Sequence, residues 1–511
     1  MKKFIATMLI LAVIVSGFSL NVSADTGSFG FTGYEYPTIY SSGSYNLQNS
    51  GRAITSRVYI EDFKTLFLEN IAQCNSSIDI SGYNLGHNDN NTDAIQNYIW
   101  YCLPEAFNVF GIGFTYTWSG LITEVNLSYR DFADTPAEYA VCHNKMIAAA
   151  DKILTDIEGN SKLDDVQKAL LLHDRLALWN EYDYIGLEAG DQDIYTAYGA
   201  LGMRGSVCQG YAMAYMYLLE RVGISNNYCS SEALNHGWNT VYINGRLYHV
   251  DVTWDDISWE KGERGVVGGV GHENFLRSTQ GIYNTGHKAD DYDYSPSDTT
   301  YDNYFWQNSV AAFTYLNDEI YYIDNTEQKL KRYSDRTALC SVEGEWKHYL
   351  EDGSYYDFGN NARLLTDGDA LIYSLPDSVY RFDVSNGKST KIYNADLSGN
   401  FSIYGIVLED EYLICDINDI VPYTSLGCEN VYQIKVKYEK PVDNVEYGDA
   451  NGDGKINGRD YAMLIQHING ANVNITLKNA DVNVDGKING RDYALLIQFI
   501  NGWAVTLGPK A

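Results

Sequence analysis

A thiol, an imidazole and a carboxylate fall within one short stretch of this chain. Cys208 lies in GSVCQGYAMAYMYLLERVGI, and His236 and Asp251 lie in NHGWNTVYINGRLYHVDVTWDD. These side-chain types are the parts of a nucleophilic acyl-transfer site. A thiolate attacks a carbonyl carbon, an imidazole moves the proton, and a carboxylate fixes the tautomer of the imidazole and stabilises its charged form. Each residue alone has a plainer use: a cysteine often packs as a small hydrophobe, and a strand His or Asp often faces solvent. Their joint placement is what points to chemistry.

The elements that must position them are readable. Cys208 follows Gly-Ser-Val and opens an apolar run (Tyr211, Ala212, Ala214, Tyr215, Leu218, Leu219) that stops at Arg221-Val222-Gly223, the pattern of a helix with a C-terminal glycine. A helix N-terminus favours an anion and lowers a thiol pKa. Residues 236–243 and 246–253 read as strands joined by Asn244-Gly245, a strong two-residue hairpin signal. That loop pairs Ile243 with Arg246, which sets His236 opposite Thr253 and Trp238 opposite Asp251. His236 and Asp251 then become diagonal neighbours on one sheet face. His249 shares that face and is read as serving the fold, as is His173 in a helix predicted over 163–180. Residues 261–300, with Gly-rich and Asp/Tyr-rich loops including 265–271, read as surface loops; a border to a substrate cleft is the alternative.

The segment resembles the transglutaminase-like superfamily, related in logic to papain. The matching residues are Gly205, Cys208 and Gly210 to Ala212, then His236 to Asn239 (HGWN), then NGxxYHVDxTWDD from Asn244 to Asp256. KALLLHDRLALWNEYDY (168–184) and AYGALGMRG (197–205) resemble the helices leading into this core, and the likeness covers about 165–260. It implies Cys208 as nucleophile, His236 as general base and Asp251 as the orienting acid. No Gln precedes Cys208 in the place papain-type enzymes use for the oxyanion. The Cys208 backbone N–H is one candidate donor, and the second is not identified.

The rest of the chain sets the context. Lys2-Lys3, an apolar stretch over 4–15 and Val22-Ser23-Ala24 read as a signal peptide over 1–24, cleaved after Ala24 and leading to export. No later stretch reads as a membrane span. A formal charge of −31 argues against nucleic acid as a partner. Of the eight cysteines, reserving Cys208 leaves an odd number, so few or no disulfides are expected; Cys415 with Cys428 is the first pair to consider. Residues 25–160 read as an N-terminal α+β lobe, with a helix near 61–74, polar loops over 81–93, strands within 112–129 and a helix near 136–157. Residues 161–300 form the catalytic core. Residues 301–440 change to short alternating strands, 312–316 with 320–324, 370–375 with 378–384 and 412–416 with 431–436. This suggests propeller-like repeats or a sandwich. Residues 441–446 form a linker.

From 447 to 511 the chain repeats itself. GKINGRDYAMLIQHING and GKINGRDYALLIQFING recur at a 32-residue offset, each after an acidic loop. Asp449, Asn451, Asp453, the Lys455 carbonyl, Asn457 and Asp460 occupy the oxygen-ligand positions of a calcium loop. Asp481, Asn483, Asp485, the Lys487 carbonyl, Asn489 and Asp492 repeat them, with Gly454 and Gly486 at the sharp turns. Two calcium ions are expected, contributing folding energy to a segment too small for a large core. One helix after each loop, duplicated, resembles a type I dockerin, the module that docks enzymes onto the cohesins of a cellulosome scaffold. The resemblance implies cohesin contacts at Gly458, Arg459, Ile465 and Gln466 and at Gly490, Arg491, Ile497 and Gln498. Many dockerins carry Ser/Thr where this chain has Gly-Arg.

The expected fold is therefore α+β: a papain/transglutaminase-like catalytic core, a β-rich repeat region and a small dockerin built of two EF-hand-like loops. The expected function is that of a secreted, cellulosome-associated enzyme acting on amide bonds of protein or peptide, by hydrolysis or acyl transfer. The alternative is a non-catalytic transglutaminase-like binding or adaptor module. A glycosidase is disfavoured, since no paired-carboxylate signature is visible.

Overall fold

In a computed structural model, the residues described are 44–46, 57–257, 269–350, 353–419, 432–439 and 446–509, apart from 472 and 474. The signal-peptide segment, the linker at 441–445 and Cys428 lie outside the described residues. The chain mixes helices with antiparallel sheets, as an α+β reading requires.

In the N-terminal lobe, helix Ile60–Ala72 precedes a three-stranded sheet in which Ile122–Tyr129 is central between Ser77–Asp79 and Val109–Tyr116; helix Pro136–Ile153 follows. The polar stretch over 81–93 is not all loop. Helix Asp89–Tyr101 begins inside it, capped by Asn88, whose side chain accepts from the Asn91 N–H at 3.0 Å. The Asn/Asp run that looked like a loop is thus the start of a helix whose buried face (Ile95, Tyr98, Ile99) comes later. One continuous apolar core joins this lobe to the next elements. It includes Phe67, Leu170 and Leu172 of helix Asp165–Trp179, Tyr215 and Leu218 of helix Cys208–Arg221, Val241 and Val250 of the hairpin, and Phe275, Trp306 and Phe313 further on.

The hairpin has the register set by its turn. His236–Ile243 pairs with Arg246–Val250 from Ile243↔Arg246 to Asn239↔Val250, and Asn226–Ser231 lies on its other side, with Ser231 opposite His236. Asn244 and Gly245 both have positive φ, 52° and 74°, the type I′ geometry that fits strand twist. The second strand stops at Val250, three residues before the expected 253. Asp251 leaves the sheet to cap the short helix Val252–Asp255, so the His236–Thr253 and Trp238–Asp251 pairs do not form.

Beyond residue 313 the chain forms successive antiparallel meanders. Four strands run from Thr314–Leu316 to Ala338–Ser341, four from Leu364–Thr366 to Lys388–Asn394, and three described strands from Ser402–Glu409 to Tyr432–Lys437. The hairpins read from sequence are present, with Leu316↔Glu319, Ser374↔Val379 and Leu413↔Val436 as ladder partners. The C-terminal segment packs helices Gly458–Ile468 and Gly490–Ile500 around a small core of Ala450, Leu464, Ile475, Ala480, Val482 and Leu496. Among the described residues, no helix is long and apolar enough to cross a membrane. The described cysteines are free thiols.

Candidate functional site

Cys208 opens its helix directly after Val207, whose side chain supplies no cap. The unpaired N–H groups of the first turn therefore remain available to an anion at Cys208. The turn before it is tied down from several sides. Ser206 N–H bonds the Glu181 carbonyl at 3.1 Å, Val207 N–H bonds the Ile194 carbonyl at 3.1 Å, and Asn180 Nδ2 donates to Ser206 Oγ at 2.7 Å. Gly210 belongs to the same device: a Cβ there would lie 2.6 Å from Ser206 Cβ and 2.7 Å from the Ile194 carbonyl. Only glycine lets the helix approach its own entry turn.

The hairpin delivers the imidazole. Asn239 Nδ2 donates to the Ala212 carbonyl at 3.0 Å, fastening the His236 strand to the Cys208 helix. His236, 9 % exposed, places Nε2 at 2.7 Å from Asp251 Oδ2. With Nε2 committed to Asp251, Nδ1 is the nitrogen left to exchange a proton with the thiol. Cys208 is partly exposed, within reach of a reagent or substrate. Its electrostatics favour an ion pair. Burial pushes the thiol up, but the hydrogen bond and charge of His236 and the Gly237 N–H outweigh it, and the net direction is down. Burial alone would lower His236, yet Asp251 first and Cys208 after it raise it to about 10. Both directions favour a thiolate facing an imidazolium. Tyr182 and Tyr195 also lie within electrostatic reach of Cys208, their hydroxyls pushed up by burial first and then by the thiol charge.

Asp251 is fully buried. Its Oδ1 accepts from the Thr253 and Trp254 N–H groups at 3.0 and 3.3 Å, which is the helix cap. Its Oδ2 accepts from His236 and also from His287 Nε2, at 2.8 Å. Burial opposes the charge, but the two imidazoles hold the carboxyl well below the usual range. The structure therefore brings Cys208, His236 and Asp251 together, and His287 was not foreseen. It comes from the stretch read as surface loop, and that reading is corrected here for its described part. His272, Asn274, Phe275, Ser278, Ile282 and His287 are buried. The acidic residues after them are fasteners: Asp293 accepts from the Ser230 N–H at 2.7 Å, Asp291 from the Ala233 N–H at 2.8 Å and Asp298 from the Tyr248 hydroxyl at 2.6 Å. Polar composition suggested solvent because the backbone donors these carboxylates satisfy are not visible in a sequence.

His249, His173 and His272 are tied into the surrounding fold. His249 Nδ1 accepts from Trp238 Nε1 at 3.0 Å, and burial lowers its pKa to about 3, so the ring is neutral. His173 bridges two carboxylates, with Nδ1 at 2.8 Å from Asp174 and Nε2 at 3.2 Å from Asp255. Asp174 also accepts from His272 Nε2 at 3.0 Å and from the Phe313 N–H at 2.6 Å. Burial lowers His173, but its two carboxylates reverse the sign and raise it to about 9.

One set of residues that fits a metal lies in the C-terminal repeats. In the first loop the Asp453 and Gly454 N–H groups bond Asp449 at 3.0 and 2.8 Å, and the Asn451 and Asn457 N–H groups bond Asp460 at 3.1 and 2.7 Å. The second loop repeats the pattern on Asp481 and Asp492. Gly454 and Gly486 both have φ of 76°, the sharp turn such a loop requires. Oxygens of Asp481, Asp485 and Asp492 lie within 4.8 Å of one another. Only hard oxygen donors converge, the set calcium prefers. Asn457 and Asn489 also cap the following helices. Of the residues implied in cohesin contact, Gly458, Arg459, Gln466, Gly490 and Arg491 are exposed, while Ile465, Ile497 and Gln498 are half-buried.

Residues 447–501 match the Dockerin type I domain family. Domains of this type bind calcium and pair with cohesins in cellulosome-type assemblies. No curated protein matches the chain. Among solved structures, one titled as the crystal structure of a TGase aligns at 10 % identity and a TM-score of 0.20, over 33 % of this chain and 49 % of that one. The chain thus spans about half the length of that structure.

Proposed function

We propose that this chain is an exported, dockerin-borne cysteine-nucleophile enzyme that acts on amide bonds of protein or peptide. The observation that carries the reading is the chain of contacts from a thiol at a helix N-terminus, through an imidazole, to a buried carboxylate 2.7 Å beyond it. The Cys208 thiolate attacks the amide carbon. The His236 imidazolium gives its Nδ1 proton to the leaving nitrogen, and the C–N bond breaks to leave a thioester. Neutral His236 then takes a proton from water as the hydroxyl oxygen attacks, and collapse of the adduct releases the acid and restores the thiolate. Throughout, Asp251 keeps Nε2 protonated and stabilises the imidazolium. Hydrolysis is the reaction we assign; an amine in place of water would give acyl transfer at the same site. The dockerin loops hold two calcium ions, through Asp449 to Asp460 and Asp481 to Asp492, and present the Gly458-Arg459 and Gly490-Arg491 faces to a cohesin.

The test is direct. The full-length mature protein, purified with calcium and reductant, is assayed for amide hydrolysis and amine incorporation on mixed protein substrates beside Cys208→Ala. Turnover present in the wild type and absent in the variant supports the reading. Equal behaviour of the two, with Cys208 alkylated no faster than a free thiol, ends it.

A further inference from the structure

The triad's carboxylate is shared, and the second imidazole on it does something the first cannot. His287 is fully buried, and its Nε2 meets the same Asp251 oxygen that receives His236, at 2.8 Å against 2.7 Å. Asp251 Oδ1 is occupied by the two backbone donors of the helix cap. The carboxylate is therefore held by four donors and cannot rotate without breaking several of them. His287 Nδ1 is buried with no hydrogen-bond partner. The ring thus has one tautomer available without cost, neutral with the proton on Nε2, because a proton on Nδ1 would be a buried unsatisfied donor. The ring is clamped by Trp254, at 3.9 Å between centroids, and by Trp238, edge-on at 5.2 Å. The Tyr292 hydroxyl donates to its carbonyl. The titratable groups facing it are Asp251, His236, His249 and Tyr292.

We propose that His287 is a positioning residue of the Cys208 site: a neutral imidazole that shares Asp251 with His236, fixes the carboxylate and draws off part of its charge. This rests on the acyl-transfer reading of the site. A carboxylate paired to His236 alone would hold a proton on that ring more tightly and would make a thiolate nearby less favourable. His287 moderates both effects, so that His236 can release its proton to a leaving amine.

Full-length protein with calcium is compared as wild type, His287→Phe and His287→Gln, reading the rate of Cys208 alkylation by iodoacetamide against pH by mass spectrometry. Gln keeps an N–H donor toward Asp251 and Phe does not. With Phe, both limbs of the pH profile move upward by roughly half a unit, and the rate on the acid limb falls by roughly threefold, because Asp251's undivided charge raises the proton affinity of thiol and imidazole alike. Gln restores the rate and the limbs to near wild type. A Phe variant with wild-type rate and limbs overturns the proposal, as does a Gln variant that behaves like Phe. A wild-type thiol that alkylates like an unfolded one sinks the nucleophile reading itself, and this proposal with it. Should the Phe variant not fold, proton NMR decides: the set of exchange-protected downfield imidazole protons, which includes those of His173 and His272 on Asp174, loses one member in His287→Gln. An unchanged set in His287→Gln refutes the sharing.

Discussion

Replacing Asp251 by Asn probes the triad with least disturbance to the fold. The amide oxygen can keep the cap bonds now made by Oδ1 to Thr253 and Trp254. The amide nitrogen replaces Oδ2 and cannot accept a proton from His236 or His287, which both lean on that atom at 2.7 and 2.8 Å. His236 must then turn its lone pair toward the amide and carry its proton on Nδ1, facing the thiol. A neutral ring in that tautomer can neither take the thiol proton nor stabilise the thiolate. Asp251 is the largest influence that raises His236 to about 10, against a burial effect of opposite sign. An ordinary imidazole sits near 6.5, and each unit is tenfold, so removing that support costs on the order of 10²–10³ in the ion-paired form near neutral pH. The assay is the pH dependence of Cys208 alkylation, with circular dichroism confirming a folded protein. Burial still pushes the thiol up, so the midpoint for thiolate formation rises to that of a free thiol or above. A folded Asp251→Asn protein that alkylates within twofold of wild type from pH 5 to 9 would refute the ion-pair reasoning.

Gly237→Ala introduces a Cβ that collides with the Tyr228 hydroxyl; a destabilisation of about 1–3 kcal/mol in denaturant melts is expected, with slower alkylation, and Tyr228→Phe in the same chain recovers part of it. His173, raised to about 9 by its two carboxylates, stabilises the fold fully below the unfolded value near 6.5 and loses that contribution as pH rises through about 9. The melting temperature therefore declines between pH 6.5 and 9.5, less steeply in His173→Gln, and parallel slopes for the two proteins would contradict this. Chelation by EGTA opens residues 447–501 to limited proteolysis, because the core there is only Ala450, Leu464 and a few neighbours. Cys208 alkylation is unchanged by the same treatment; protection of the dockerin in EGTA would count against calcium as its structural ion.

The parts legible in the sequence are those governed by local rules. Alternation and Asn244-Gly245 set the hairpin register, and the run after Cys208 set its helix, because both signals act within a few residues. The calcium loops were legible for the same reason, each being a string of ligands at fixed offsets. Errors came where a side chain overrode a local preference. Val252-Thr253-Trp254 looks like strand, but the Asp251 carboxylate binds the next N–H groups and turns the chain into a helix. His287 had no local signal at all, since it reaches Asp251 across 36 positions of chain. Ser278, whose side chain caps helix Thr279–Asn284 through the Gly281 N–H, was the one local hint that ordered structure lay there.

The short helix Val252–Asp255 carries buried carboxylates at both ends. Asp251 at its cap holds His236 and His287, and Asp255 at its end holds His173 and receives the Asn274 N–H and side chain. Burying a carboxylate is costly unless it is paired and hydrogen-bonded. Two such groups on one turn of helix are tolerable only if every partner arrives in register. Helix Asp165–Trp179 supplies His173, the hairpin supplies His236, and the 269–298 stretch supplies Asn274 and His287. The turn that carries Asp251 and Asp255 is therefore fixed by groups from each surrounding element. That over-determination explains how a four-residue helix, too short to persist alone, can hold a buried carboxylate steadily against an imidazole.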